Sequence, residues 1–117
     1  MTKGDIYIAD FGKSKNSFEF GKKRPVLIFQ SDKLNMAVDE GIYNYLLVIP
    51  LSTKNDIVTE EFRYRISKRD MLQHDSYAVC NSICFLPKDT LKGKIASLKR
   101  EECFEIETIL KNLFDMA

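Results

Sequence analysis

Arg24 and Glu19 are the residues whose type and spacing first suggest chemistry. Arg24 closes a polar loop and opens an apolar run, Pro25-Val26-Leu27-Ile28-Phe29-Gln30, and Pro25 fixes the backbone directly after it. A guanidinium mounted at such a junction is held by a rigid element, and its planar fork of N–H donors fits a phosphate. Glu19 lies five residues earlier in the same loop. A carboxylate near an arginine either accepts a proton or forms an ion pair, and these residues alone leave both open.

The loop carries more than this pair. Residues 1–24 hold six basic side chains (Lys3, Lys13, Lys15, Lys22, Lys23, Arg24) against three acidic ones, a net of +3; the remaining residues hold 12 basic and 14 acidic groups. The whole-chain net charge of +1 therefore hides a basic opening segment. Such a segment on a β platform either tracks a phosphodiester backbone or is a solvated loop. Phe18 and Phe20 interleave with the charges. They either stack on bases or pack the loop onto the body of the protein or a dimer mate.

Other reactive side chains read more plainly. His74-Asp75 precedes a β-rich run, and side chains of sequence neighbours usually diverge, so a surface or turn role is expected. Cys80 and Cys84 lie four apart in that run. On one strand they share a face about 13 Å apart at ~3.3 Å per residue, too far for a disulfide or a shared tetrahedral ion. They are expected as buried thiols, like Cys103 on the apolar face of the last helix. One histidine and no Cys-x-x-Cys leave no structural zinc motif.

These groups must be positioned by a small body. A chain of 117 residues supports one domain, 1–117, burying roughly two thirds of its unfolded surface. Hydrophobic residues are 44% and charged residues 30%, so a packed core is expected rather than disorder. No apolar run approaches the ~18–20 residues that span a bilayer, and Met1-Thr2-Lys3-Gly4-Asp5 begins no secretory h-region. The expectation is a cytoplasmic protein without a membrane partner. Strands are expected at 6–11, 25–30, 42–51, 62–66 and 76–86, a short further strand or turn at 91–98, and a short helical turn over 34–38 capped by Ser31 or Asp32. From Arg100 the period changes to that of a helix: Cys103, Ile106, Leu110 and Leu113 share one face for about four turns. Five or six successive strands and a terminal helix predict a mostly antiparallel small barrel or open sheet with the helix packed on it.

Several of these segments together resemble the MazF/PemK family of toxins from type II toxin–antitoxin systems. The resemblance runs nearly end to end. It includes Lys3-Gly4-Asp5-Ile6-Tyr7 with Ala9-Asp10, then Glu19, Gly21 and Arg24-Pro25-Val26-Leu27-Ile28. It continues through Val48-Ile49-Pro50-Leu51-Ser52-Thr53, Asp75-Ser76-Tyr77-Ala78-Val79, and Leu91 through Lys94-Ile95 with Leu98. It implies an SH3-like (MazF/CcdB-type) antiparallel barrel with a C-terminal amphipathic helix, assembled as a homodimer. It implies a metal-independent, sequence-selective endoribonuclease of single-stranded RNA, with no cofactor. The ribose 2′-OH would attack the adjacent phosphorus, giving a cyclic phosphate and a 5′-OH. Arg24 matches the family's catalytic arginine, Ser52 falls where many members carry a catalytic threonine, and Glu19 matches an acidic position and is the expected base. Lys22, Lys23, Thr53, Phe18, Asn81 and Ser82 are the expected RNA contacts. A cognate MazE-like antitoxin with an acidic disordered tail is the expected partner, and its charge would complement the basic loop.

The chain also departs from the family pattern. Where members often read Asp-Gln and then an Arg two positions later, this chain has Asn81-Ser82 and Cys84. An amide cannot accept a proton as a base, so a PemK-style Asp base is excluded and the base is Glu19 or an activated water; Asn81 can still read a base edge. These departures keep a catalytically weakened RNA-binding module as a rival. The other rival is a CcdB-like toxin that poisons DNA gyrase, and against it the chain has no Trp and ends Asp115-Met116-Ala117.

Overall fold

The alternating and apolar runs become seven strands: β1 (Asp5–Asp10), β2 (Lys23–Ile28), β3 (Tyr45–Ser52), β4 (Arg63–Ile66), β5 (Ser76–Val79), β6 (Cys84–Pro87) and β7 (Leu91–Ser97). Two helices join them, α1 (Asp32–Asp39) and α2 (Arg100–Leu113). The computed structural model describes residues 1–12 and 23–116, and the structural statements that follow concern these. Glu19, Phe18, Phe20, Lys13, Lys15 and Lys22 lie outside the described residues. No described helix is long and apolar enough to cross a membrane.

Every strand pairing is antiparallel, in the order β4-β5-β3-β2-β1-β7, with β6 also paired to β3. The long β3 organises the sheet. Its first half pairs with β6 and its last two residues with β5. The sheet is not closed by pairing between its outer strands. The β4–β5 connection covers the gap: the Met71 N–H donates to the Ile95 carbonyl of β7 at 3.0 Å, and Arg69 Nη1 reaches the Ser97 carbonyl at 3.4 Å.

The count of seven corrects the expected five or six, and the reason lies in 76–86. That run is not one strand. A 3-10 turn, Cys80–Ser82, separates β5 from β6. The break falls opposite Ile49 and Pro50, between the Val48↔Cys84 and Leu51↔Ala78 pairs. Pro50 has no N–H to give a ladder on that side. The turn also overturns the expectation that Cys80 and Cys84 share a face. Cys80 packs with Ile6, Leu27 and Ile49, whereas Cys84 packs on the other side of the sheet against Val48 and Leu86. All three cysteines are free thiols.

Alternation along the strands gives the sheet two apolar faces. One face, including Leu27, Ile49, Leu51 and Ile66, is covered by Cys103 and Ile106 of α2. The other, including Ala9, Val26, Ile28 and Val48, meets Val38 of α1. Ser31 caps α1 by accepting the Leu34 N–H, so the expected helical turn is a two-turn helix with the expected cap. At the start of α2, Glu102 accepts the Lys99 N–H at 2.8 Å and also receives Arg69 Nη2 at 2.8 Å. One carboxylate thus satisfies the backbone N–H of the N-cap residue and ties α2 to the β4–β5 connection. Gly4 sits at the docking point of α2. Its φ is +96°, and a Cβ there would lie 2.8 Å from Cys103 Sγ.

Candidate active site

Arg24 is half-buried on β2, between the exposed Lys23 and the half-buried Pro25. Its neighbour across the β1 ladder is Ala9, and that of Lys23 is Asp10. Asp10 Oδ1 accepts the Gly12 N–H at 2.9 Å, which turns the chain at the end of β1. The β2–β3 ladder is last paired at Val26↔Pro50. Continued two residues further, that register brings Arg24 and Ser52 to the same step. Both lie at even spacing from Val26 and Pro50, so both belong to the sheet face opposite α2.

Ser52 is half-buried at the last position of β3. Its Oγ accepts the Lys54 N–H at 3.1 Å, and the Lys54 carbonyl accepts Arg63 Nη1 at 2.6 Å. With one lone pair held by the backbone, the hydroxyl keeps its proton to donate. Thr53 is exposed immediately beyond.

Ser52 is also paired to Tyr77 of β5, and Tyr77 to Arg65 of β4. The ladders pair Ala9 with Arg24 and, separately, Ser52 with Tyr77 and Tyr77 with Arg65; the β2–β3 register extended by two residues joins the two sets into one row. Arg63 and Val79 form the next step on the same face. Arg65 is exposed and bonds Asp75 at 2.8 Å through Nη2. Asp75 also accepts the Lys68 N–H at 2.8 Å; that bond and the charge of Arg65 hold its carboxyl below the usual carboxylate range.

Behind Arg24, on the α2 side of the sheet, lies a cleft of about 380 Å³. Ile8, Pro25, Thr53, Gln73, His74 and Ile95 are among its walls. His74 is an exposed residue of the β4–β5 connection, and its carbonyl accepts the Ser76 hydroxyl at 3.0 Å. Asn81 and Ser82 stand in the 3-10 turn, four and five positions past Tyr77, rather than in the row with Ser52. Among the described residues no group of three or more His, Cys, Asp and Glu gathers as a metal ion would require.

Of the residues singled out from the sequence, Lys23 and Arg24 begin β2, Ser52 ends β3 and Thr53 follows it, at the same end of the β2–β3 pair. The structure sets Asn81 and Ser82 apart from them. Glu19, Phe18 and Lys22 are outside the described residues. Tyr77, Arg63 and Arg65 join the row without having been singled out. Their signal was the period-two alternation of residues 62–66, which puts both arginines on one face. What that face adjoins depends on strand order.

The profile of the family described as "PemK-like, MazF-like toxin of type II toxin-antitoxin system" matches residues 2–114. No curated protein sequence matches significantly. Among solved structures, the fold is similar to Mycobacterium tuberculosis toxin MazF-mt6 (20% identity over 97% of this chain and 98% of that one, TM-score 0.74). It is similar to an endoribonuclease in complex with its cognate antitoxin from Mycobacterial species (19% identity, 100% and 95% covered, TM-score 0.73). It is also similar to MazE-MazF from Deinococcus radiodurans (14% identity, 100% and 97% covered, TM-score 0.74).

Proposed function

The chain belongs to the PemK-like, MazF-like toxins of type II toxin–antitoxin systems, and from that premise we propose that it is a metal-independent, sequence-selective endoribonuclease of single-stranded RNA. What supports this reading most is the placement of Arg24 near the start of β2 and Ser52 at the last position of β3, each two residues beyond the Val26↔Pro50 pair and on the same sheet face. The reaction is intramolecular. The ribose 2′-OH loses its proton and attacks the adjacent phosphorus, the P–O5′ bond breaks, and the departing oxygen takes a proton. The products are a cyclic phosphate and a 5′-OH. Arg24 balances the charge of the phosphorane and is the donor to the leaving oxygen. Ser52 donates its hydroxyl to a non-bridging oxygen, its lone pair already engaged by Lys54. Glu19, five residues before Arg24 in the sequence, is the base.

Lys23 and Thr53 flank this pair and, with Lys22 and Phe18, make the proposed RNA contacts beside it, while Asn81 and Ser82 contact RNA separately, from the turn after β5. A core this small leaves little room for a deep pocket within one chain, which favours a groove shared by two copies. The working form is a cytoplasmic homodimer, restrained by an antitoxin whose acidic disordered tail competes for the basic segment. End-group analysis tests the reaction. RNA cut by the pure protein in EDTA should give fragments that polynucleotide kinase phosphorylates directly, as 5′-OH ends allow. Fragments refractory to the kinase until dephosphorylated would contradict the mechanism.

A further inference from the structure

We infer that the β5–β4 flank of the sheet is a second RNA subsite, in which the Tyr77 ring takes a base beside the cleaved linkage and Arg65 takes a phosphate. The inference rests on the nuclease reading and deepens it. Ser52↔Tyr77 and Tyr77↔Arg65 are direct cross-strand pairs, so the three side chains leave one face in line. Strands lie about 4.8 Å apart, so Arg65 stands about 14 Å from Arg24 across the sheet. The two guanidiniums thus serve successive parts of one strand.

The chemistry at each position fits that use. Tyr77 is half-buried, so part of its ring is open to solvent, and an aromatic ring stacks on any base. Arg65 has 59% of its side chain exposed, and among the described residues its guanidinium bonds Asp75 through Nη2. Asp75 is fixed by the Lys68 N–H. It therefore orients the guanidinium while leaving donors over for a phosphate. The neighbouring Arg63 is committed instead to the Lys54 carbonyl, which fixes the loop after Ser52. Alternating platform and cation across adjacent strands is the arrangement that holds single strands without a deep pocket.

The test measures binding of a labelled, unstructured single-stranded RNA of mixed sequence, in EDTA, to Arg24→Ala protein so that the probe survives. Tyr77→Ala in that background should weaken binding roughly 5- to 150-fold, and Tyr77→Phe should restore most of it. Arg65→Gln should make the slope of log affinity against log salt shallower by about 0.7, the loss of one single-strand phosphate contact. Lys111→Gln, on α2 behind the sheet, should leave the slope unchanged. Unchanged affinity and slope in the Tyr77 and Arg65 variants, with the parent still cutting RNA, would overturn the subsite and leave the nuclease standing. A parent that neither cuts nor binds RNA would take both down. Loss of binding to polyglutamate with RNA binding intact would overturn the subsite in favour of an acidic protein partner.

Discussion

Ser52 stands directly opposite Tyr77 in the β3–β5 ladder, and its Oγ accepts the Lys54 N–H at 3.1 Å. The hydroxyl is therefore held by the backbone, and Tyr77 is its residue's cross-strand neighbour. A threonine keeps the same hydroxyl, and an alanine loses it. Ser52→Ala should lower kcat for RNA cleavage about 100-fold, the usual cost of removing one donor to a developing oxyanion. Ser52→Thr should stay within a few-fold of the parent. Single-turnover kinetics on a labelled RNA distinguish them. Equal loss in both variants would mean that shape, rather than the hydroxyl, matters at this position.

Arg69 and Glu102 link the β4–β5 connection to α2, and both are largely buried. The Arg69 hydrogen bonds foremost, against a smaller opposing effect of burial, hold the Glu102 carboxyl below the usual glutamate range. A depressed carboxylate contributes stability that is present above its unfolded value of about 4.3 and lost as pH falls through the lower folded value. Glu102→Gln should therefore cost about 1–3 kcal/mol at pH 7. The gap to the parent should shrink as the pH is lowered below about 4.3. Thermal melts of both proteins at several pH values read this directly. A pH-independent gap would assign the effect to packing.

Gly4 combines a left-handed φ of +96° with a Cβ position 2.8 Å from Cys103 Sγ. Gly4→Ala should destabilise the protein by about 1–3 kcal/mol through the backbone alone. Adding Cys103→Ala should recover only the steric part, because the backbone penalty does not depend on the sulfur. Urea titrations of the single and double variants form the cycle that separates the two.

Burial pushes the Cys80 thiol up to about 12. At pH 8 iodoacetamide should modify the half-buried Cys84 well before Cys80, and Cys80 only at the rate of unfolding. Mass spectrometry of timed digests gives the order. Rapid labelling of Cys80 in native protein would contradict its place beneath α2.

The end of the chain and the start of β2 were legible because each depends on local pattern. Cys103 and Ile106 repeat at helical spacing, and they are the residues α2 buries. Pro25 through Ile28 form an apolar run, and they are the inner part of β2. The 76–86 run was misread because its composition is β-forming throughout, while the break is imposed from across the sheet at Pro50. The site divides in the same way. Arg24 was visible as a cation fixed by a following proline. Ser52 came only through family resemblance, since a serine at a strand end announces nothing by itself. Tyr77 and Arg65 needed the order β4-β5-β3-β2, a long-range fact that spacing along the chain does not contain.

The central claim is that Arg24 makes this fold an RNA-cutting enzyme, and primer extension tests it most directly. A long RNA is incubated in EDTA with parent protein or with Arg24→Ala of matched circular dichroism and melting temperature. The parent should produce stops at a recurring short word, and Arg24→Ala should produce none above background, a rate loss of at least about 100-fold. Cleavage by Arg24→Ala at the parental rate, or no cleavage by the parent, would contradict the claim.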